Sequence, residues 1–97
     1  MPEIAYKQHL RRRKRQITTT LTRQHYHVDP FEAGPFHLLA RRGKTARAIR
    51  ICFVYTTTED ILSVRREPVP DRCLREIWQV SADGRIIVKA KIAGRME

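Results

Sequence analysis

The stretch from Gly34 to Cys52, GPFHLLARRGKTARAIRIC, constrains the fold more than any other part of the chain. Two apolar runs, Phe36 to Ala40 and Ala46 to Tyr55, read as short strands joined by the basic turn Arg41-Arg42-Gly43-Lys44. Successive side chains of a strand point to opposite faces. Ile49, Ile51, Phe53 and Tyr55 therefore share one side of the second strand, and Arg50, Cys52 and Val54 share the other. This pattern commits the middle of the chain to a sheet.

The flanking segments supply the rest. Residues 5–26 read as a helix, with Tyr6, Leu10, Ile17 and Leu21 on one face and Arg11, Arg12, Arg13 and Arg15 over the remainder. The run Ile17-Thr18-Thr19-Thr20 works against it, because β-branched side chains lose rotamer freedom in helices, and a helix followed by a strand over Gln16 to Thr22 stays open. His25-Tyr26-His27-Val28 enters a first strand that ends at Asp29-Pro30, where proline cannot continue a central ladder. Thr57 or Thr58 caps a short helix over Glu59 to Arg66, with acids in its first turn as the helix dipole prefers. Glu67-Pro68-Val69-Pro70-Asp71 breaks it. Leu74 to Val80 and Arg85 to Ile92 read as strands joined by Ser81-Ala82-Asp83-Gly84, and Asp-Gly between such runs signals a hairpin. Trp78 alternates with Glu76 and Val80 and reads as core, while Tyr6 and Tyr26 pack the first helix. The sum is one small α+β domain over residues 1–97 with a mixed sheet, in the order helix, three strands, short helix, two strands.

Ninety-seven residues at 41% apolar support a modest core. No run of eighteen apolar residues occurs, so no membrane span is expected. The opening MPEIAYKQHLRRRKR lacks the apolar stretch of a secretory signal, so an intracellular, cytoplasmic protein is expected. Cys52 and Cys73 are too few and too separated for a zinc or C-x-x-C motif. Buried free thiols are the expectation, with a Cys52–Cys73 disulfide left open.

The charge is lopsided. Residues 1–50 carry 12 Lys and Arg against Glu3, Asp29 and Glu32, a balance of +9 within the total of +10. Concentration of positive charge in one half marks a polyanion-binding surface. Arg outnumbers Lys 15 to 5, which suits bidentate phosphate contacts. Five consecutive cations, Arg11-Arg12-Arg13-Lys14-Arg15, repel one another at a cost to folding, and phosphate contact accounts for them. Arg41, Arg42, Lys44 and Arg47 line the hairpin turn and extend the same surface. Such contacts position a nucleic acid without reading its sequence.

The lead-in HYHVDPFEAGPFHLLARRG and the ending REIWQVSADGRIIVK, with the element order above, resemble the restriction-endonuclease-like (PD-(D/E)xK) nucleases, especially small archaeal-resolvase-like members. The resemblance spans nearly the whole chain but is one of pattern. In the family an Asp sits on the second strand and Glu-x-Lys on the third. Here those positions read His37 and Arg50-Ile51-Cys52. The implied chemistry needs two carboxylates to hold Mg²⁺, which polarises phosphate and activates water. His37 is a poor Mg²⁺ ligand, Arg50 reverses the sign of the charge, and Cys52 removes the Lys.

The expectation is therefore a non-catalytic DNA-binding protein on a degenerate nuclease scaffold, as a monomer or homodimer, with no cofactor and no metal site. Its nucleic-acid contacts would be Arg11, Arg12, Arg13, Lys14, Arg15, Arg41, Arg42, Lys44, Arg47 and Arg50, the last binding phosphate where the family holds its metal. The first alternative is a Mg²⁺- or Mn²⁺-dependent nuclease with relocated ligands drawn from Asp29, Glu32, His37 and Glu59. His25 and His27, at i and i+2, are a weaker metal pair. The second alternative is an adaptor that binds RNA or protein.

Overall fold

A computed structural model describes residues 3–31, 34–53, 55–81 and 83–94. Glu32, Val54 and Ala82, on which expectations above rested, lie outside the described residues. Helix α1 (Glu3–Arg23) is followed by strands β1 (His27–Pro30), β2 (Leu38–Arg42) and β3 (Thr45–Phe53). Helix α2 (Thr58–Arg66) then leads to β4 (Cys73–Val80) and β5 (Ile86–Ile92). The five strands lie in chain order in one sheet, antiparallel except for the parallel β3–β4 pair that α2 connects. The α+β expectation holds, with small shifts at the element ends. Tyr55 falls beyond β3, and Phe36 and His37 precede β2.

Helix α1 runs through the threonines. The Thr19 and Thr20 hydroxyls donate to the carbonyls of Arg15 and Gln16, four residues back, at 3.0 and 3.1 Å. Ile17 and Leu21, one turn apart, are buried against the sheet, and that packing outweighs the rotamer cost of the β-branched run, so no strand forms over Gln16 to Thr22. The helix stops at Arg23 rather than continuing to Tyr26. His25 takes the left-handed conformation at φ 69°. The Tyr26 and His25 amides bond back to the carbonyls of Leu21 and Thr22, both at 3.0 Å. This is the Schellman arrangement, with its apolar contact made by Tyr26 and Leu21 in the core.

Each face of the sheet buries an apolar layer. On the α1 side Ile17, Leu21 and Tyr26 pack on Leu38, Ala40, Ile49, Ile51, Trp78 and Val80. On the α2 side Val64 joins Phe36, Leu39, Ala48, Cys52 and Ile77. The alternation expected for β3 is what divides its residues between the two layers. The β2–β3 turn places a positive φ at Gly43 (59°), the first of its two central residues, which is the type II′ pattern that matches strand twist. Gly84 in the β4–β5 turn is buried and faces α1: a Cβ there would collide with the Arg13 guanidinium, and its carbonyl accepts from Gln16 Nε2 at 2.7 Å.

Cys52 and Cys73 are free. Cys73 pairs with Ala46 in the parallel register, six positions from Cys52, which is about 20 Å along the strand and excludes a disulfide. Among the described residues no helix is long and apolar enough to cross a membrane.

Candidate nucleic-acid interface

A helix packed on a sheet shows about half its circumference to solvent, and on α1 that half is cationic. Arg11, Arg12, Arg15 and Arg23 are exposed. At 100° per residue they fall within about a third of the circumference and extend roughly 18 Å along the axis. Between Arg11 and Arg23 the helix sequence contains no acid. Two members of the basic run behave differently. Lys14 is half-buried, and Arg13 turns inward, 7% exposed, donating to Gln16 Oε1 at 2.7 Å beneath the β4–β5 turn. Arg13 cannot serve as the phosphate contact expected from the sequence, because the turn covers it.

The hairpin cations also separate into two kinds. Arg41, Arg42 and Lys44 are exposed. Arg42 donates to the Gln24 carbonyl at 2.9 Å and stacks over the Tyr26 ring at 4.4 Å, which ties the β2–β3 turn to the end of α1. Arg47 is committed inside the protein. It meets the buried Glu76 carboxylate with two hydrogen bonds, Nε at 2.6 Å and Nη2 at 2.7 Å. The Trp78 indole donates to the same carboxylate at 3.0 Å. Burial opposes ionisation of Glu76, but the bonds from Arg47 and Trp78 outweigh it and hold the carboxyl below its ordinary range. The bonds that Arg47 donates to Glu76 likewise raise the Arg47 pKa, against burial. Arg47 therefore neutralises a buried acid instead of being displayed as the phosphate contact expected from the sequence.

Around this pair cations and aromatics alternate across the sheet. Arg47 lies 5.3 Å from the Tyr26 ring and 5.4 Å from the Trp78 ring, and Lys89 covers Trp78 at 4.4 Å. Register places Lys89 opposite Trp78 and Lys91 opposite Glu76. Sequence reasoning missed Lys89, Lys91 and the buried role of Glu76. The signal was present in the period-two pattern of β4 and β5, but the pairing register had to be known to use it.

His37, Arg50 and Cys52, the positions singled out by the sequence resemblance, come together at the carboxyl half of β3. His37 Nδ1 accepts the Ile51 amide at 2.8 Å, just beyond the last β2–β3 pair at Leu38 and Ile49. Burial lowers the His37 pKa to about 4, helped by the positive charges of Arg50 and Lys14. The ring is therefore neutral at pH 7, with one nitrogen already used. Arg50 donates from Nε to Asp60 Oδ1 at 2.9 Å and from Nη1 to the Pro35 carbonyl at 2.8 Å. Its Nη2 lies 2.8 Å from the same Asp60 oxygen. The other oxygen, Asp60 Oδ2, accepts the Thr57 amide at 3.0 Å and the Thr57 hydroxyl at 2.8 Å, while the Asp60 amide bonds back to Thr57. Asp60 thus closes the α2 capping box and pins Arg50 at once. Burial opposes its ionisation, but the Thr57 and Arg50 bonds prevail and lower its pKa. Burial, with Asp60 nearby, pushes the Cys52 thiol up and leaves it a poor nucleophile. Arg50 is held by Asp60 and Pro35 with its charge balanced, where the sequence suggested an unpaired arginine for phosphate.

The relocated acids do not assemble. Asp29 is on β1, 3.3 Å from His27 Nε2, and Glu59 is exposed in the first turn of α2. His25 sits in the turn after α1 and His27 on β1, so they do not alternate along one strand. Among the described residues no group of three or more His, Cys, Asp or Glu is placed to hold a metal ion. No family model, curated protein or solved structure matches the chain.

Proposed function

We propose that this chain is a non-catalytic DNA-binding protein that holds duplex phosphates on the outward face of α1 and the adjoining β2–β3 turn. The observation that carries the proposal is the exposed stripe Arg11, Arg12, Arg15 and Arg23, continued at the turn by Arg41, Arg42 and Lys44. Arg42 joins the two surfaces through its bond to Gln24. An exposed stripe of one sign has no folding role, since like charges in neighbouring helical turns destabilise. Arg supplies a planar fork matched to phosphate oxygens. The order helix, three strands, helix, two strands supports a nuclease-like origin for the scaffold. The non-catalytic reading is supported by Arg50, whose charge is balanced by Asp60 where the resemblance puts a metal-binding acid.

The test is duplex affinity across a salt series. Each phosphate that is no longer neutralised should flatten the slope of log K against log salt by about 0.9. The Arg11→Ala/Arg12→Ala/Arg15→Ala variant is expected to reduce the slope by roughly 2–3 and to weaken all duplex sequences alike. An unchanged slope in that variant rules out the α1 surface. Cleavage of the DNA in Mg²⁺ or Mn²⁺ rules out the non-catalytic reading.

A further inference from the structure

Next to the Arg50–Asp60 pair, at the carboxyl end of β3, is a cleft of about 250 Å³. Its floor is Phe53, half-buried at the end of the strand. Tyr6 of α1 forms one side, set edge-on to Phe53 with ring centroids 5.6 Å apart and planes at 78°. Tyr55, immediately past β3, forms another. Thr57, the Arg50–Asp60 pair, Ile51 and Cys52 complete the lining.

Two features separate this cleft from ordinary surface. Tyr6 and Tyr55 are 38% and 68% exposed, although both are large rings that folding would gain by burying. The polar corner, moreover, carries no net charge. Arg50 and Asp60 cancel, and both carboxylate oxygens already accept two bonds each, from Arg50 and from Thr57. A guanidinium has five N–H groups, and the bonds to Asp60 and Pro35 use three of Arg50's among the described residues. Among the described residues the other two meet no further oxygen acceptor, only the neighbouring Cys52 thiol, a weak one. A phosphate calls for net positive charge, which this corner lacks. A nucleobase calls for aromatic faces and a donor for its ring carbonyl or ring nitrogen, which this corner has.

We propose that the cleft holds one unpaired nucleobase, stacked against Tyr55 and Tyr6 with Arg50 donating to its acceptor edge. The proposal rests on the DNA-binding reading above and makes it specific: the preferred ligand is duplex DNA interrupted by an unpaired nucleotide. A base within a continuous duplex has both faces covered by its neighbours, so only a bulged, terminal or flipped base can enter. Stacking tolerates every base because each has a π-face, so the cleft selects structure rather than sequence.

The experiment compares a paired duplex with the same duplex carrying a single bulged 2-aminopurine, reading both affinity and 2-aminopurine fluorescence at one salt concentration. The bulged duplex is expected to bind more tightly by roughly 5- to 150-fold, the range for one base–aromatic stack, with fluorescence quenched on binding. Tyr55→Ala should abolish both the preference and the quenching while leaving affinity for the paired duplex unchanged, and Tyr55→Phe should retain them. Tyr55 is exposed, so the fold does not depend on it. Equal affinity for the two duplexes, or quenching that survives in Tyr55→Ala, overturns the cleft proposal while the α1 surface stands. Failure to bind even the paired duplex overturns both.

Discussion

Replacing Glu76 with Ala tests the energetic centre of the sheet. Glu76 is 2% exposed, and its carboxylate receives two bonds from Arg47 and one from Trp78. Removing one partner of a buried pair strands the other charge, at a cost of about 3–5 kcal/mol. The Trp78 N–H loses its acceptor as well, which keeps the expected cost at the upper end of that range. A chain of 97 residues is stable by about 5–15 kcal/mol, so the variant forfeits a large share of its stability. At about 4–8 °C per kcal/mol for a domain this size, the melting temperature should fall by more than about 12 °C, measured by circular dichroism or calorimetry. Arg47→Met/Glu76→Gln removes both charges and keeps an oxygen for Trp78, so it should recover at least half the loss. Because Arg47 is bound to Glu76, the double variant should also keep wild-type affinity in the duplex-binding assay proposed above. A Glu76→Ala cost below about 1 kcal/mol, the size of an exposed pair, would refute the buried network. A large loss of duplex affinity in the folded double variant would refute the assignment of Arg47 as structural.

Acid sensitivity should trace to His37 and Glu76. His37 is a base whose native pKa is depressed to about 4 from 6.5, so the unfolded chain takes up its proton first and stability falls as pH drops from 6.5 toward 4. That amounts to about 2 kcal/mol between pH 7 and pH 5; His37→Asn keeps an acceptor near Nδ1, does not titrate, and should flatten this part of a chemical-denaturation series against pH. Glu76 has a depressed carboxyl pKa, so its contribution is complete above its ordinary value and lost below it. At the end of α1, His25→Gly should stabilise by about 0.5–1 kcal/mol, since Gly adopts the left-handed conformation without strain, and a lower midpoint in urea would contradict the Schellman reading. Gly84→Ala should destabilise by more than about 1 kcal/mol, because φ 91° strains any L side chain there and the added Cβ would also displace the Arg13 guanidinium, and an unchanged midpoint would refute that turn geometry.

The element order and the split of β3 between two core layers followed from period-two and period-3.6 patterning, because local burial is written directly into residue spacing. A threonine cap at Thr57 or Thr58, settled by the structure as Thr57, and Asp83-Gly84 as a turn were equally legible, since both act within a few residues. The end of α1 was not: His25 is an ordinary helix residue by propensity, and only the bonds from Tyr26 and His25 back to Leu21 and Thr22 stop the helix there. The basic half of the chain was visible as charge, but not which cations were displayed. Arg13 is covered by a turn 71 residues later in the chain, Arg47 is claimed by Glu76 in the neighbouring strand, and Arg50 is claimed by Asp60 at the start of a helix. Each pairing depends on strand register or helix placement, and in a chain with 20 cations and 10 acids composition alone cannot say which acid finds which base. The sequence by itself determined a small α+β domain with a strongly cationic first half. The tertiary structure decided which arginines face solvent and which neutralise buried acids, because desolvation makes an unpaired buried charge too costly to leave.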